Sequence, residues 1–130
     1  MKSVRVVAAI IEKDKRILAT QRGYGEFEGG WEFPGGKIEP HEKPEDALVR
    51  EIHEELNTEI AVIRFITNVQ YDYESFHLDM DCYLCSLLDE TFELCEHHAA
   101  RWLDADLLNS VEWLPADIEI LDTLREQEVV

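Results

Sequence analysis

The sequence lacks what a membrane or export pathway would use. It has no apolar run approaching the roughly 18 residues of a membrane span, and Met1-Lys2-Ser3-Val4-Arg5 carries neither the apolar core nor the small-residue cleavage site of an export signal. A cytoplasmic location without a membrane partner is expected. Cysteine is scarce: Cys82, Cys85 and Cys95 are an odd number, so reduced thiols are expected in place of a disulfide framework. Positive charge is short as well. Twelve basic residues against 29 acidic ones leave a net charge of -17 with no basic stripe, a field that repels nucleic acid polymers. A small phosphorylated ligand meets the same repulsion and needs a divalent cation to bridge carboxylates to phosphoryl oxygens. Repeats, linkers and low-complexity tracts are absent too. The 130 residues, 45% hydrophobic and 32% charged, have a globular composition and are expected to form one domain over 1–130.

The β-branched run Val4 to Ile11, the polar turn Lys13-Asp14-Lys15 and the extended pattern Arg16 to Thr20 predict a hairpin. Gly23, Gly25, Gly29 and Gly30 then mark a mobile loop. Trp31-Glu32-Phe33 reads as a short strand stopped by Pro34-Gly35-Gly36. Pro44 suits the first turn of a helix and Glu45 and Asp46 its positive end, which predicts a helix from Pro44 to Leu56 with Leu48, Ile52 and Leu56 buried. Glu59 to Tyr73 and Phe76 to Leu87 read as strands, the second placing Phe76, Leu78, Met80, Cys82 and Leu84 on one face and His77, Asp79, Asp81 and Tyr83 on the other. Arg101-Trp102-Leu103 is a last short strand, and Pro115 opens a C-terminal helix expected to carry Ile118, Leu121 and Leu124 inward.

On the first helix Glu51, Glu54 and Glu55 project within an arc of roughly 100° beside the apolar stripe. Like charges at these spacings destabilise a helix by a few tenths of a kcal/mol per pair, whereas a hard divalent cation removes the repulsion and takes oxygen ligands of this kind. The bland alternative is a solvated acidic face. Gly35-Gly36 allows close backbone approach to a ligand, Glu42 adds a fourth carboxylate ahead of the helix, and Arg50 can hold one glutamate in place.

Read together, Gly36-x5-Glu42-x7-Arg50-Glu51-Ile52-x-Glu54-Glu55 resembles the signature of the Nudix hydrolases, G-x5-E-x7-R-E-U-x-E-E-x-G-U with U a bulky aliphatic. The match departs at its end, where Asn57 stands for glycine and Thr58 for the aliphatic residue. Asparagine is the next residue able to take the left-handed cap, so the loop should survive, while Thr58 should lose some apolar packing. Trp31 to Glu39 resembles the approach to this box in the MutT-type branch, and Leu114-Pro115-Ala116-Asp117 resembles the segment that this branch and its relatives acting on cytidine nucleotides set against the base.

The resemblance implies an α/β fold with a mixed sheet between helices. It also implies Mg²⁺-dependent hydrolysis, with Mn²⁺ an acceptable substitute, of a nucleoside triphosphate to monophosphate and pyrophosphate. The substrate would be CTP-type or a modified nucleotide such as 8-oxo-dGTP, and the enzyme a monomer or homodimer. Gly35, Glu51, Glu54, Glu55 and Glu96 would hold the metal; Glu51, Glu54, Glu55 and Arg50 would serve catalysis, Glu51 as base; Arg22, Phe33 and Asp117 would bind substrate. Two alternatives stay open, a hydrolase of another nucleoside diphosphate derivative and an idle nucleotide-binding domain. For Asp117 the rival reading is a carboxylate stabilising the first turn of its helix. Three features are set aside: Cys82-x-x-Cys85, whose members face opposite sides of a strand; His97-His98, read as a coincidence in a polar loop; and base stacking by Tyr71, Tyr73 and Phe76, read first as core or rim packing.

Overall fold

A computed structural model describes all residues, 1–130. Its scaffold is a seven-stranded mixed sheet, and the long first strand, β1 (Lys2–Lys13), decides the arrangement. β1 turns through Asp14 and Lys15, both at positive φ (53° and 63°), into β2 (Arg16–Arg22). Two successive left-handed residues are what a tight hairpin turn matched to strand twist requires. The chain continues through β3 (Trp31–Glu32), β4 (Gly35–Lys37), α1 (Pro44–Leu56), β5 (Ile60–Asp72), β6 (Phe76–Leu87), β7 (His97–Leu103), a 3-10 turn (Ala105–Ser110) and α2 (Pro115–Glu126). The order is β3-β2-β1-β6-β5, with β4 paired to β1 and β7 to β2. β1 and β6 run parallel; the other paired strands are antiparallel.

Val7 to Ile11 are all buried because the sheet is covered on both faces. Val7, Ala9 and Ile11 pack with Leu48, Ile52 and Leu56 of α1, while Ala8 and Ile10 pack with Ile120, Leu121 and Leu124 of α2. Burying each of the valine, leucine and isoleucine side chains fully is worth roughly 1.5–3 kcal/mol. The β6 alternation takes the same form: Met80 and Cys82 join the α2 side, Tyr83 and Cys85 the α1 side. Cys82 and Cys85 are therefore free thiols on opposite faces. No helix is long and apolar enough to cross a membrane.

α1 has the expected boundaries, with Pro44 in its first turn and Asn57 at φ 47°, ψ 46°, donating its N–H to the His53 carbonyl at 3.0 Å. Thr58 is buried, and its hydroxyl donates to the Thr91 carbonyl at 2.9 Å, so the departure from an aliphatic is met by a hydrogen bond. Other expectations are corrected. Ile118 is 55% exposed, because the buried stripe of α2 runs through Ala116, Ile120, Leu124, Asp117 and Leu121, and Ile118 falls beyond its edge. β3 does end before Pro34, but Gly35-Gly36 is no loop: it forms β4 against β1, where a Cβ on Gly35 would run into the Val7 carbonyl oxygen. β7 begins at His97, four residues before Arg101, because its pairing with β2 continues through Arg22 across a bulge.

Candidate functional site

The end of β2, the start of β7, β3, β4 and the second half of α1 meet around a cleft of about 710 Å³. Arg22, Glu32, Gly35, Glu55, Glu96 and Lys37 are among its walls. The bulge opposite Gln21 and Arg22 brings Arg22 level with His97 and so presents Glu96 beside the end of β2. The cleft opens into a smaller cavity of about 120 Å³, bounded by Phe33, Tyr73, Phe76, Leu114 and Asp117 and sharing Arg22, Glu32, Gly35 and Gly36 with it. One compartment is lined by carboxylates, the other by aromatic and aliphatic groups.

The carboxylates of α1 take three different positions. Glu55 lines the cleft and accepts the Gly35 N–H at 3.3 Å. Burial, reinforced by the charges of Glu51, Glu32 and Glu96, pushes its carboxyl up to about 9. Glu51, 15% exposed, lies against Gly36, where a Cβ would overlap its carboxylate. Burial raises its pKa against the opposing pull of Arg50. Glu54 stands at the outer edge, 55% exposed, with Arg50 at 3.6 Å. Arg50 points into neither cavity. Its Nε and Nη2 donate to the two Glu42 oxygens, both at 2.9 Å, its Nη1 to Glu51 at 3.0 Å and its Nη2 also to the Lys37 carbonyl at 3.0 Å. This bidentate pairing holds Glu42 down at about 2. Arg50 thus fastens α1, β4 and the connecting loop together, as a positioning group for Glu51.

Arg22 is fixed by a residue that sequence reading did not single out. Its Nη2 and Nε donate to the Glu32 carboxylate at 2.7 and 3.3 Å, and its Nη1 to the Glu26 carbonyl at 3.0 Å. Three of the five guanidinium hydrogens are engaged, which leaves two for a ligand. Burial acts to raise the Glu32 pKa, but His97 and Arg22 outweigh it and hold the carboxyl below its usual range. His97 is no loop coincidence. Its side chain is 4% exposed in β7, Nε2 stands 3.7 Å from Glu32, and Nδ1 is buried without a partner. The available signal was Glu32 itself, an acid between two aromatic residues in a short strand.

Asp117, 5% exposed, accepts the Phe33 N–H at 3.0 Å and so ties the start of α2 to the end of β3. Burial pushes its carboxyl up to about 8, although the Phe33 N–H opposes the rise. Burial thus favours the protonated form, which can donate as well as accept, over the ionised acceptor expected from the sequence. Phe33 is buried and stacks on Trp113 at 4.6 Å. Tyr73 and Phe76, stacked at 5.1 Å, do line the small cavity, with the Tyr73 hydroxyl accepting the Ala116 N–H at 3.1 Å; Tyr71 packs behind them.

No three His, Cys, Asp or Glu side chains converge closely enough here to enclose a metal ion. The donor chemistry nevertheless fits a hard cation. Burial first, and then the charges of Glu51, Glu32 and Glu96, disfavour an ionised Glu55, a penalty that nearby divalent charge offsets. The Tyr24 hydroxyl contacts Glu96 at 3.4 Å at the mouth of the cleft.

Comparison with known proteins gives a consistent picture. The NUDIX domain family matches residues 1–124. The CTP pyrophosphohydrolase of Escherichia coli K12 is 37% identical over 123 residues, 94% of this chain and 91% of that protein. The 8-oxo-dGTP diphosphatase of Proteus vulgaris is 34% identical over 85 residues, 64% of this chain and 76% of that protein. Among solved structures, the E. coli ORF135 protein superposes with a TM-score of 0.82 at 36% identity, covering 97% of this chain and 91% of its own. The MutT NUDIX hydrolase from Burkholderia pseudomallei gives 0.84 at 27% identity, covering 95% and 99%.

Proposed function

This chain belongs to the NUDIX family, and on that premise we propose that it hydrolyses a nucleoside triphosphate, CTP-type or C8-oxidised guanine type, to the monophosphate and pyrophosphate. The observation that carries the reading is the pair of joined cavities, one walled by carboxylates beside Arg22 and Lys37, the other by aromatic rings with Asp117 among them. A polyphosphate and a flat base need two such unlike compartments side by side.

Glu51, Glu54, Glu55 and Glu96, with the Gly35 carbonyl, are the groups that would hold Mg²⁺, or Mn²⁺ in its place. When bound, such an ion supplies charge neutralisation and a lower pKa for attacking water. Glu55 would serve as a ligand in its ionised form. Glu51, steadied by Arg50 and with its pKa raised by burial, takes the proton of the attacking water. Arg22, held from behind by Glu32, directs its two free hydrogens to phosphate oxygens. Phe33, fixed by Trp113, packs on the base, and Asp117 reads its edge with one donor beside one acceptor. That pattern complements the amine and unprotonated ring nitrogen of cytosine.

The proposed unit is one domain over residues 1–130, a monomer or homodimer. Its three free thiols suit a reducing cytoplasm. The test is a phosphate-release screen over canonical, methylated and oxidised nucleotides with Mg²⁺ and then with EDTA. Turnover of triphosphates that EDTA abolishes supports the reading. Binding without turnover would mean an idle nucleotide-binding domain, and preference for other nucleoside diphosphate derivatives would overturn the substrate assignment.

A further inference from the structure

Asn57 and Thr58, the two positions at which the box departs from its signature, lie where α1 ends, and both bond to the same stretch of chain. That stretch, residues 88–96 between β6 and β7, contains neither helix nor strand and ends on Glu96. Four hydrogen bonds fasten it to the helix end. The Cys95 N–H donates to the Glu55 carbonyl at 3.0 Å and the Glu93 N–H to the Leu56 carbonyl at 2.8 Å. Asn57 Nδ2 donates to the Glu93 carboxylate at 3.1 Å, and the Thr58 hydroxyl to the Thr91 carbonyl at 2.9 Å. Carbonyls in the last turn of a helix have no partner within it, so the segment satisfies groups that α1 leaves open. Its contacts fall on every second residue, Thr91, Glu93 and Cys95, while Phe92 between them packs against the core cluster that includes Leu56.

This docking joins two carboxylates of the cleft. Glu55 lines the cleft with its side chain, and its carbonyl takes the amide of the residue next to Glu96. On the other side Glu96 meets the glycine-rich loop after β2, where a Cβ on Gly23 would overlap the Glu96 carbonyl oxygen. That loop is held, contrary to the mobility its glycines suggested: the Gly29 N–H donates to the Arg22 carbonyl and the Arg22 N–H to the Gly30 carbonyl, both at 2.9 Å. Of the four bonds to α1, the two made by side chains come from the two departing positions, and glycine with an aliphatic residue would supply neither. Thr58 is 5% exposed, whereas the Asn57 bond faces solvent, so the threonine contributes more.

We propose that Thr58, assisted by Asn57, is a positioning residue: it holds the 88–96 segment on the end of α1 and thereby keeps Glu96 beside Glu55, where both serve the divalent cation. The assignment rests on the metal reading of the cleft given above. It gives the two departures from the signature a role in the site without contact to substrate.

The experiment uses the whole chain, first free of metal and then with Mn²⁺ alone. Hydrogen exchange over 88–96 is followed by mass spectrometry and Mn²⁺ affinity by electron paramagnetic resonance, for wild type, Thr58→Val, Thr58→Ser and Asn57→Gly. Valine keeps the shape of threonine without the donor, serine keeps the donor, and glycine suits the left-handed backbone at position 57. In metal-free protein Thr58→Val should speed exchange over 88–96 by about tenfold, the scale of one lost hydrogen bond, with exchange over 44–52 of α1 unchanged. It should also weaken Mn²⁺ binding by about tenfold, the lower end for loss of support behind a ligand. Asn57→Gly, a surface change that leaves the core intact, should move both readings the same way by about two- to threefold, and Thr58→Ser should match wild type. Unchanged Mn²⁺ affinity in Thr58→Val and Asn57→Gly, faster exchange spread equally over α1, or a serine variant as impaired as valine overturns the assignment and leaves the metal reading standing. If wild type itself binds no Mn²⁺, the metal reading falls and the assignment with it.

Discussion

Replacing Asp117 by asparagine separates two consequences of burying a carboxyl group. Asp117 holds the Phe33 N–H at 3.0 Å from a position 5% exposed, and burial lifts its carboxyl to about 8 from the ordinary 3.8. Below 3.8 folded and unfolded chains both carry the proton, so the group adds no pH dependence. Between 3.8 and about 8 the folded protein keeps a proton that the unfolded chain has released, and stability falls steadily as pH rises. At about 1.4 kcal/mol for each tenfold change in proton concentration, the fall is bounded at about 6 kcal/mol. Asparagine keeps the accepting oxygen and an adjacent donor but never ionises. The melting temperature of Asp117→Asn minus that of wild type should therefore grow from pH 5 to pH 8, since contributions of every other titrating group cancel. Even about 1 kcal/mol of the bound moves the Tm of a chain this size by about 3–5 °C. Scanning calorimetry across that interval reads the difference directly, and a flat difference would refute a buried, protonated Asp117. In turnover the variant should keep kcat/KM for CTP above pH 8 where wild type loses it, while Asp117→Ala should shift cytidine-to-guanine discrimination by about 1–3 kcal/mol.

Glu51→Gln and Glu54→Gln should each lower kcat by at least roughly a hundredfold without unfolding the chain, as expected when acid–base or metal-held electrostatic catalysis is removed; near-normal turnover in both would contradict their assignment. Arg50→Lys should cost activity mainly through kcat, because lysine cannot reproduce the paired donation to Glu42 with a further hydrogen bond to Glu51; an unchanged kcat would show that Glu51 needs no such support. Gly35→Ala and Gly36→Ala should behave differently although they are neighbours. The first drives a methyl into the Val7 carbonyl of the sheet and should lower Tm by the equivalent of about 1–3 kcal/mol or more. The second displaces only the end of the Glu51 side chain and should lower kcat with little change in Tm, so equal thermal losses would contradict this geometry.

The helix α1 was legible in the sequence because three independent signals agreed on it: proline and acids at its start, a four-residue apolar period, and a residue tolerant of left-handed backbone at its end. The spacing of Glu51, Glu54 and Glu55 likewise placed them on one edge of that helix. Other features depend on tertiary context. Pro34-Gly35-Gly36 ends β3 as expected, but the further strand formed by the two glycines is not legible, because glycine disfavours strands in general; here only glycine lets β4 approach Val7 and Glu51. Ile118 reads as core because it is apolar, but helix rotation is set by Ala116, Ile120 and Leu124 against β1. His97 and Glu32 are ordinary polar residues in sequence; burial beside Arg22 comes from the β2–β7 register and its bulge, which local patterns do not encode. The raised pKa of Asp117 comes from its enclosure, not from its position after Pro115.

The most direct measurement of the central claim identifies the products formed from CTP and Mg²⁺ by anion-exchange chromatography, with wild type and Glu51→Gln run in parallel. Equimolar CMP and pyrophosphate from wild type, suppressed at least about a hundredfold in the variant, is the predicted result. Release of CDP with orthophosphate, or equal product from both proteins, would contradict the assignment of this cleft as the site of triphosphate hydrolysis.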